Sequence, residues 1–154
     1  MRDFNEASKE KKSKRIQIPD NPDKLSEEQI SYMESMVKAL LQDGYLPCPV
    51  AWEIADQMDV TKIAVGEIAD KMGVRITNCQ IGFFKEDKTA YDNPEHKSTI
   101  GGFAATLKTL KEDDQLTCAM LFEMAEQFRL EPIAISNEAS AQGLKIHGCQ
   151  LGCF

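Results

Sequence analysis

The residues best suited to chemistry in this sequence are five cysteines, at positions 48, 79, 118, 149 and 153. Four thiolates form a ligand set typical of zinc or iron-sulfur sites, so Cys48, Cys79, Cys118 and Cys149 are candidate metal ligands. No pair has the Cys-x-x-Cys spacing of a zinc ribbon, and the nearest approximation is His147-x-Cys149-x-x-x-Cys153. Buried thiols that pack as small apolar side chains explain the same residues. We favour this structural interpretation and keep a metal or redox sensor as the alternative.

Candidates for acid-base catalysis at neutral pH are few. The two histidines are His96, in a polar and turn-rich stretch, and His147, in a predicted strand. The sequence contains no phosphate-binding glycine loop, dinucleotide fingerprint or paired-carboxylate motif. An enzyme needs a nucleophile with a base, or a metal with an open position. We therefore expect a protein that is not an enzyme and that has no cofactor, unless the cysteines bind zinc or an iron-sulfur cluster.

A second candidate site is a cluster of basic residues near the N-terminus. It consists of Lys9, Lys11, Lys12, Lys14 and Arg15. Residues 1–25 are polar and show no apolar periodicity, so we expect a mobile or loosely docked arm that ends where a helix starts. The cluster is interpreted either as a solvated tail or as an arm that contacts nucleic acid or an acidic partner.

The charge and hydropathy of the whole chain narrow the classes of function. The formal net charge is -7, and residues 30–84 and 100–154 each carry four basic and seven acidic side chains. This balance disfavours tight binding to a phosphate backbone, which depends on Lys and Arg. No stretch approaches the roughly 20 apolar residues of a membrane span, and no signal peptide is recognisable. We expect a cytoplasmic protein that has no contact with a membrane and keeps its cysteines reduced.

The sequence repeats itself at an offset of 70 residues. Residues 46–84 (repeat 1) and 116–154 (repeat 2) share 14 identities in 39 gapless positions. The identities include the cysteines, Gly73 with Gly143, and the segment Gln80-x-Gly82-x-Phe84 with its counterpart at 150–154. So many identities without a gap indicate a tandem duplication.

Helix signals define the elements of each repeat. Ser26 with Glu27, Glu28 and Gln29 predicts a helix start, and Asp43-Gly44 predicts its stop. In repeat 1, helices are predicted over Pro49–Met58 and Thr61–Met72, with Gly73 as a stop at positive φ, followed by a strand at 74–77. Repeat 2 has the corresponding strand at 144–147. The predicted organisation is an arm at 1–25, a unit at 26–84, a surface linker at 85–99 and a second unit at 100–154.

Two helices joined by Asp59 and Val60 alone must cross steeply, which is the geometry of a helix-turn-helix. The apolar pattern of Ile54, Ala55, Met58, Val60, Val65 and Ile68 agrees with that motif, and the repeats resemble the winged helix-turn-helix family. The resemblance implies a mainly α fold with short β-strands, in two tandem winged-helix-like units. We predict that the strands at 74–77 and 144–147 pair with each other or with a short return segment. The units would then be related by pseudo-twofold symmetry.

The family usually binds DNA by placing the second helix of the motif in the major groove. The resemblance implies that the outward positions of that helix are Thr61, Lys62, Gly66, Glu67, Asp70 and Lys71 in repeat 1, and Glu131, Pro132, Ser136, Asn137, Ser140 and Ala141 in repeat 2. Among these, Lys62, Lys71 and Asn137 are the residue types that read bases or bind phosphates. Glu138 also replaces the apolar Ile68. We therefore expect a non-enzymatic, regulator-like binding module whose partner is DNA or a protein, with no small-molecule substrate evident.

Overall fold

The computed structural model describes residues 5–83, 105–107 and 116–154. The predicted linker at 85–99, including His96, lies outside the described residues, as do residues 100–104 and 108–115 of the predicted second unit. Residues 105–107 are helical, and Leu107 is buried. The described part of the chain is mainly helical with a few short strands, as the sequence predicts.

The first part of the chain forms helices α1 (Glu6–Ser13) and α2 (Glu27–Ala39). No sequence signal predicted α1, because this helix has a low apolar content and buries no residue of its own. The start of α2 is confirmed, because Ser26 and Gln29 form a reciprocal capping box. This helix ends before the predicted stop. Asp43 and Gly44 both have positive φ and form a tight turn that pairs Gln42 with Tyr45.

Repeat 1 then forms β1 (Tyr45–Pro47), α3 (Cys48–Met58), α4 (Lys62–Lys71) and β2 (Arg75–Thr77). Repeat 2 forms β3 (Leu116–Thr117), α5 (Cys118–Phe128), α6 (Pro132–Ala141) and β4 (Ile146–His147). The helices of the two repeats have the same bounds at the offset of 70 residues. Both predicted helix pairs are therefore present where the sequence placed them.

The predicted pairing of the strands was wrong. β2 pairs in parallel with β1, in the register Leu46 with Ile76, and β4 pairs in parallel with β3. Parallel neighbours need a crossover between them, and the two helices of each repeat supply it. β1 and β3 were not predicted, because strands of two or three residues are too short to show an alternation of apolar and polar side chains.

The four motif helices end in the same backbone arrangement. The amides of Val74 and Leu144 bond back to the carbonyls of Ala69 and Ala139, and Gly73 and Gly143 have φ values of 71° and 76°. This is a Schellman motif, which confirms the predicted glycine stops. α3 and α5 end in the same way, but their left-handed residues are Asp59 and Arg129, both with φ of 53°.

The chain divides into two compact units whose boundaries differ from those of the repeats. Unit 1 comprises Met1–Cys79 together with Gln150–Phe154, and unit 2 comprises Gln80–Cys149. The last five residues of repeat 2 therefore belong to unit 1, while the described end of repeat 1, residues 80–83, belongs to unit 2. The repeats have exchanged these end segments.

Each unit has its own apolar core. In unit 1, α2, α3 and α4 pack on one another and bury the side chains of Met33, Val37, Leu46, Ile54, Val65 and Ile68. In unit 2, α5 packs on α6, with Leu116, Leu121, Ile133, Ile135, Ala139 and Ile146 buried. A fully buried Val, Leu, Ile or Met side chain contributes about 1.5–3 kcal/mol to the free energy of unfolding. In the described part of the chain, no helix is both long and apolar enough to span a membrane.

Candidate functional site

The helix that the family resemblance assigns to DNA reading, α4, is largely buried. Residues 64 to 69 are all buried, including Gly66 and Glu67, which were expected to face outward. That expectation was wrong because it assumed a helix with one open face. The face opposite the α2 and α3 packing is covered by other parts of unit 1.

The exchanged segment Gln150–Phe154 covers part of this face of α4. A Cβ atom at Gly66 would overlap the carbonyl oxygen of Leu151 and lie 2.8 Å from its carbonyl carbon. At the next residue of the segment, a Cβ at Gly152 would lie 2.8 Å from Cδ1 of Ile63 and 2.5 Å from Cδ1 of Ile18. Glycine at these positions allows the backbone of the segment to lie directly on the helix. Unit 2 has the same contact, because a Cβ at Gly82 would lie 2.9 Å from Cδ1 of Ile133.

Acidic residues from the segment between α1 and α2 cover both ends of α4. At the start of the helix, the carboxylate of Asp23 accepts hydrogen bonds from the Thr61 amide and hydroxyl, both at 2.6 Å. Thr61 is the predicted N-cap residue, but its side chain makes no capping bond of its own. The carboxylate of Asp23 takes over part of that role.

At the other end, Lys71 Nζ lies 2.6 Å from Asp20 Oδ1 and 2.6 Å from Glu67 Oε1. The hydrogen bonds with Asp20 and then Glu67 raise the pKa of Lys71. The hydrogen bond from Lys71 lowers the pKa of Asp20. The Lys71 side chain thus has two carboxylate partners within its own unit.

Lys62, the other basic candidate on α4, is held by an aromatic ring. Its Nζ atom lies 4.4 Å from the centroid of the Trp52 ring, which is within the range of a cation-π interaction. The third candidate, Asn137, is exposed on α6 in unit 2, while the neighbouring Ser136 is buried. Glu138, which replaces Ile68, is half-buried and accepts a hydrogen bond from Gln142 at 2.9 Å.

Three of the five basic residues of the N-terminal cluster pair with carboxylates of the protein. Lys9 Nζ lies 3.1 Å from Glu6 Oε1 within α1, and Nζ of Lys14, the C-cap residue of that helix, lies 2.8 Å from Glu10 Oε1. Lys12 reaches α4, where its Nζ atom lies 2.5 Å and 2.7 Å from the two carboxylate oxygens of Asp70. Burial raises the pKa of Asp70, although the hydrogen bond from Lys12 acts in the opposite direction.

The other two basic residues of the cluster, Lys11 and Arg15, line a cavity in unit 1 of about 450 Å³. The cavity is lined by Ser8, Lys11, Lys12, Arg15, Ile16, Arg75, Cys153 and Phe154. Arg75 enters from β2, and its Nη2 atom donates a hydrogen bond to Ser8 Oγ at 3.1 Å. α1, β2 and the exchanged segment thus meet at this cavity.

Arg75 was not among the residues predicted from the sequence, although a signal was present. The position 70 residues later is Lys145, so both repeats carry a cation in the strand that follows the helix pair. Cys153 and Phe154 could not have been found in this way, because their place in unit 1 follows from the exchange of segments.

The cysteines lie in corresponding places in the two units. Cys48 follows β1 directly and Cys79 lies two residues after β2, so the parallel pairing brings both to the same edge of the ladder. Cys118 and Cys149 follow β3 and β4 in the same way. Cys48, Cys79 and Cys118 are buried, Cys149 is half-buried, and none of the four forms a disulfide. Within the described residues, no three or more side chains of the types His, Cys, Asp and Glu form a metal-binding group.

Comparison of the chain with models of known protein families, with curated proteins and with solved structures finds no match.

Proposed function

We propose that this protein is a non-enzymatic, cytoplasmic regulatory module that binds a protein partner through tandem winged-helix-like units. The observation that carries the proposal is an acidic helix face present in both repeats. The first motif helices expose the same pattern of side chains, namely Glu53, Asp56 and Gln57 on α3, and Glu123, Glu126 and Gln127 on α5. The second motif helices carry no such common face, since Lys62 and Lys71 correspond to Pro132 and Ala141.

An acidic face of this kind favours a partner with a basic contact surface. Complementary charge raises the rate of association and selects among partners. Two equivalent faces in one chain also allow a partner with two basic sites to bind more tightly than through either face alone.

DNA is the less favoured partner because most of the α4 residues that would contact it are engaged elsewhere. Leu151 covers Gly66. Asp23 binds Thr61 at the start of α4. Lys12 pairs with Asp70, and Asp20 pairs with Lys71. The chain departs from the winged-helix pattern in a second respect as well. The strand after the helix pair joins the strand before it in parallel, where the family has an antiparallel hairpin.

A direct test against DNA is fluorescence anisotropy with labelled random-sequence duplex DNA. We expect no binding tighter than about 10⁻⁴ M at physiological salt, which is the weak end of non-specific DNA binding. Saturable binding in the micromolar range that is lost in the Lys62→Met/Asn137→Ala variant would replace the protein-partner proposal with DNA reading.

The acidic faces are tested by charge reversal in purified components. Proteins retained on the immobilised chain are purified, and their affinities are measured for wild type, Glu53→Lys/Asp56→Lys and Glu123→Lys/Glu126→Lys. Each reversal should lower the affinity for the true partner by about tenfold or more, and the two combined should abolish binding. The control pair Glu27→Lys/Glu28→Lys changes the net charge equally on α2. If this control weakens binding as much, net charge alone is responsible and the proposed face is wrong.

The second candidate function is a cysteine-ligated metal or redox sensor. The paired placement of two thiols at one edge of each ladder favours it, because a metal needs converging ligands. Metal content and free thiols measured on protein purified without chelator decide between the two. Stoichiometric zinc or iron that is lost in Cys48→Ser and Cys118→Ser would establish the sensor, whereas five titratable thiols with no metal would remove it.

A further inference from the structure

Two cysteines of unit 2 follow the ends of its paired strands. Thr117 pairs in register with His147, so Cys118 comes opposite Gly148, and Cys149 is the next residue. A Cβ atom at Gly148 would lie 3.7 Å from Cγ2 of Thr117, which is ordinary van der Waals contact. The two chain segments therefore still lie side by side at the point where the cysteines follow.

This register is compatible with a disulfide. Parallel strands lie about 4.8 Å apart and rise about 3.3 Å per residue, so residues offset by one position have Cα atoms on the order of 6 Å apart. Disulfides usually join Cα atoms that lie about 4.4–6.8 Å apart. Cys118 and Cys149 are offset by one position, so a bond between their sulfur atoms needs little movement of the backbone.

The exposure of the cysteines distinguishes this pair from its counterpart in unit 1. Cys48 and Cys79 are exposed over only 8% and 4% of their surface, and Cys118 over 6%, whereas Cys149 is half-buried. A buried cysteine is inert toward reagents in solution until the fold opens, while a partly exposed one can react directly. Of the two pairs, the one in unit 2 therefore has the accessible member.

The two cysteines of unit 2 suit different steps of thiol-disulfide exchange. Cys149 can meet an oxidant that arrives from solution, because it is the more exposed of the two. Cys118 is the first residue of α5, where the helix dipole favours a negative charge. The thiolate is the form that attacks a disulfide. Cys118 is thus placed to complete an exchange that Cys149 begins.

We propose that Cys118 and Cys149 form a reversible disulfide by exchange with a low-molecular-weight disulfide, while Cys48 and Cys79 remain thiols. The Cys149 thiolate attacks one sulfur of the oxidant, whose S–S bond breaks and releases one thiolate. The Cys118 thiolate then attacks the Cys149 sulfur of the mixed disulfide and displaces the second thiolate. Two protein thiols are oxidised, and the oxidant is reduced to two thiols, which take up the two protons.

The disulfide would form where the chain passes from one unit into the other. Cys149 is the last residue of unit 2, and the exchanged segment Gln150–Phe154 belongs to unit 1. Oxidation would tie this crossing point to the start of α5, and the closed loop would restrict the unfolded chain. The inference goes beyond the binding of a protein partner and does not rest on it. It also needs no metal, since it starts from the protein with five titratable thiols.

The test uses the full-length chain, which is reduced, freed of reductant and incubated with glutathione disulfide. Remaining thiols are blocked with N-ethylmaleimide in denaturant at intervals, and unreduced tryptic peptides are identified by mass spectrometry. A link should form between peptides 112–129 and 146–154, and dithiothreitol should reverse it. The corresponding link of unit 1, between peptides 39–62 and 76–85, should form about tenfold more slowly or not at all, because both of its thiols are buried.

Cys153 supplies the matched control, because it is also half-buried and lies in the same tryptic peptide as Cys149. Cys153→Ser should form the link at the wild-type rate, whereas Cys149→Ser should not form it. Cys118→Ala should stop at the mixed disulfide between Cys149 and glutathione. Circular dichroism checks that each variant folds. If Cys118→Ala does not, the link in Cys153→Ser still identifies the pair, since Cys149 is then the one cysteine of its peptide.

Four results would overturn the proposal. Wild type stops at the mixed disulfide, so that Cys118 does not reach Cys149; or Cys153→Ser loses the link, so that Cys153 is the true partner of Cys118. Alternatively, the link of unit 1 forms as fast as that of unit 2, so that exposure does not select the pair; or Cys149 forms covalent dimers in place of the link within unit 2.

Discussion

The backbone carbonyl of Leu151 lies directly against Gly66, with no space between them for a side chain. Leu151 belongs to repeat 2 and Gly66 to the second motif helix of repeat 1, yet both are part of unit 1. This contact seals the face of α4 that a DNA-reading helix would need, and it fixes the exchanged segment on that helix.

A methyl group at Gly66 should therefore destabilise the protein. In an open helix, replacing Gly by Ala stabilises by roughly 0.5–1 kcal/mol. Here the added Cβ meets backbone atoms, so Gly66→Ala should lower the free energy of unfolding by about 1–3 kcal/mol, the usual cost of overpacking. Urea denaturation measures the change. Ser136→Ala, at the corresponding position of repeat 2, should change stability by less than about 1 kcal/mol. A stabilising Gly66→Ala would show that Leu151 does not cover this helix.

The exchange of segments predicts which helix is stabilised by Leu151 and which by Ile81. Leu151 and Ile81 are fully buried at corresponding positions, and truncating such a side chain costs about 2–5 kcal/mol. Leu151→Ala should therefore increase amide hydrogen exchange in α4, and Ile81→Ala should increase it in α6. The reverse assignment, with Leu151→Ala loosening α6 first, would mean that each segment stays with its own repeat.

Asp70 and Asp20 should affect the pH dependence of stability in opposite directions. Burial raises the pKa of Asp70, so the folded state binds that proton more tightly than the unfolded chain does. Its contribution to the free energy of unfolding is largest below the ordinary value of 3.8 and falls as pH rises through the folded pKa. Acidification should therefore favour wild type over Asp70→Asn.

The pKa of Asp20 is lowered by Lys71, so its contribution is present above 3.8 and is lost as pH falls through the folded pKa. Acidification should reduce the small excess in free energy of unfolding that wild type has over Asp20→Asn. Both differences are measured by urea denaturation between about pH 2.5 and pH 6. The same sign for the two variants would mean that the Lys12 ion pair outweighs the burial of Asp70.

The left-handed residues at the ends of α3 and α5 offer a stabilising substitution. Arg129 has φ of 53°, a conformation that costs a residue with a Cβ atom roughly 1–2 kcal/mol. Arg129→Gly should raise the free energy of unfolding by about 1 kcal/mol, and Asp59→Gly by less, since Asp tolerates this conformation better. Thermal denaturation compares the two. An unchanged or lowered melting temperature for Arg129→Gly would contradict the assigned end of α5.

The carboxylate of Asp23 caps a helix that lies 38 residues away in the sequence. Removing it in Asp23→Ala leaves the Thr61 amide without this acceptor and should cost about 1 kcal/mol, as for the loss of an N-cap. Glu53→Ala, an exposed acid on α3, is the control and should change stability by less than about 0.5 kcal/mol. Equal effects of the two substitutions would rule out capping by Asp23.

Most of the helices could be predicted from local sequence signals. The capping box at Ser26 and Gln29, and the glycine stops at Gly73 and Gly143, are short-range patterns, and the structure has each of them. The pairing of β1 with β2 depends on contacts across about 30 residues, for which strands of two or three residues give no pattern.

The exchange of segments could not be predicted from the sequence, for a different reason. Gln80 and Gly82 match Gln150 and Gly152, so either segment satisfies the same positions in either unit. The basic cluster was recognised from its composition, but its internal partners Asp70 and Glu10 were not, because a count of charges does not say which of them pair. Arg75 was missed because a lone cation in a strand looks like an ordinary solvent-facing residue.

The placement of Gln150–Phe154 in unit 1 has a consequence for biosynthesis. Domains usually fold in the order in which they leave the ribosome, the N-terminal one first. Here the first unit cannot close over α4 until residues 150–154 have been translated, after nearly all of unit 2 has emerged. The nascent N-terminal unit must therefore wait, with the surface around Gly66 and Ile63 uncovered, for a segment that is translated only after unit 2.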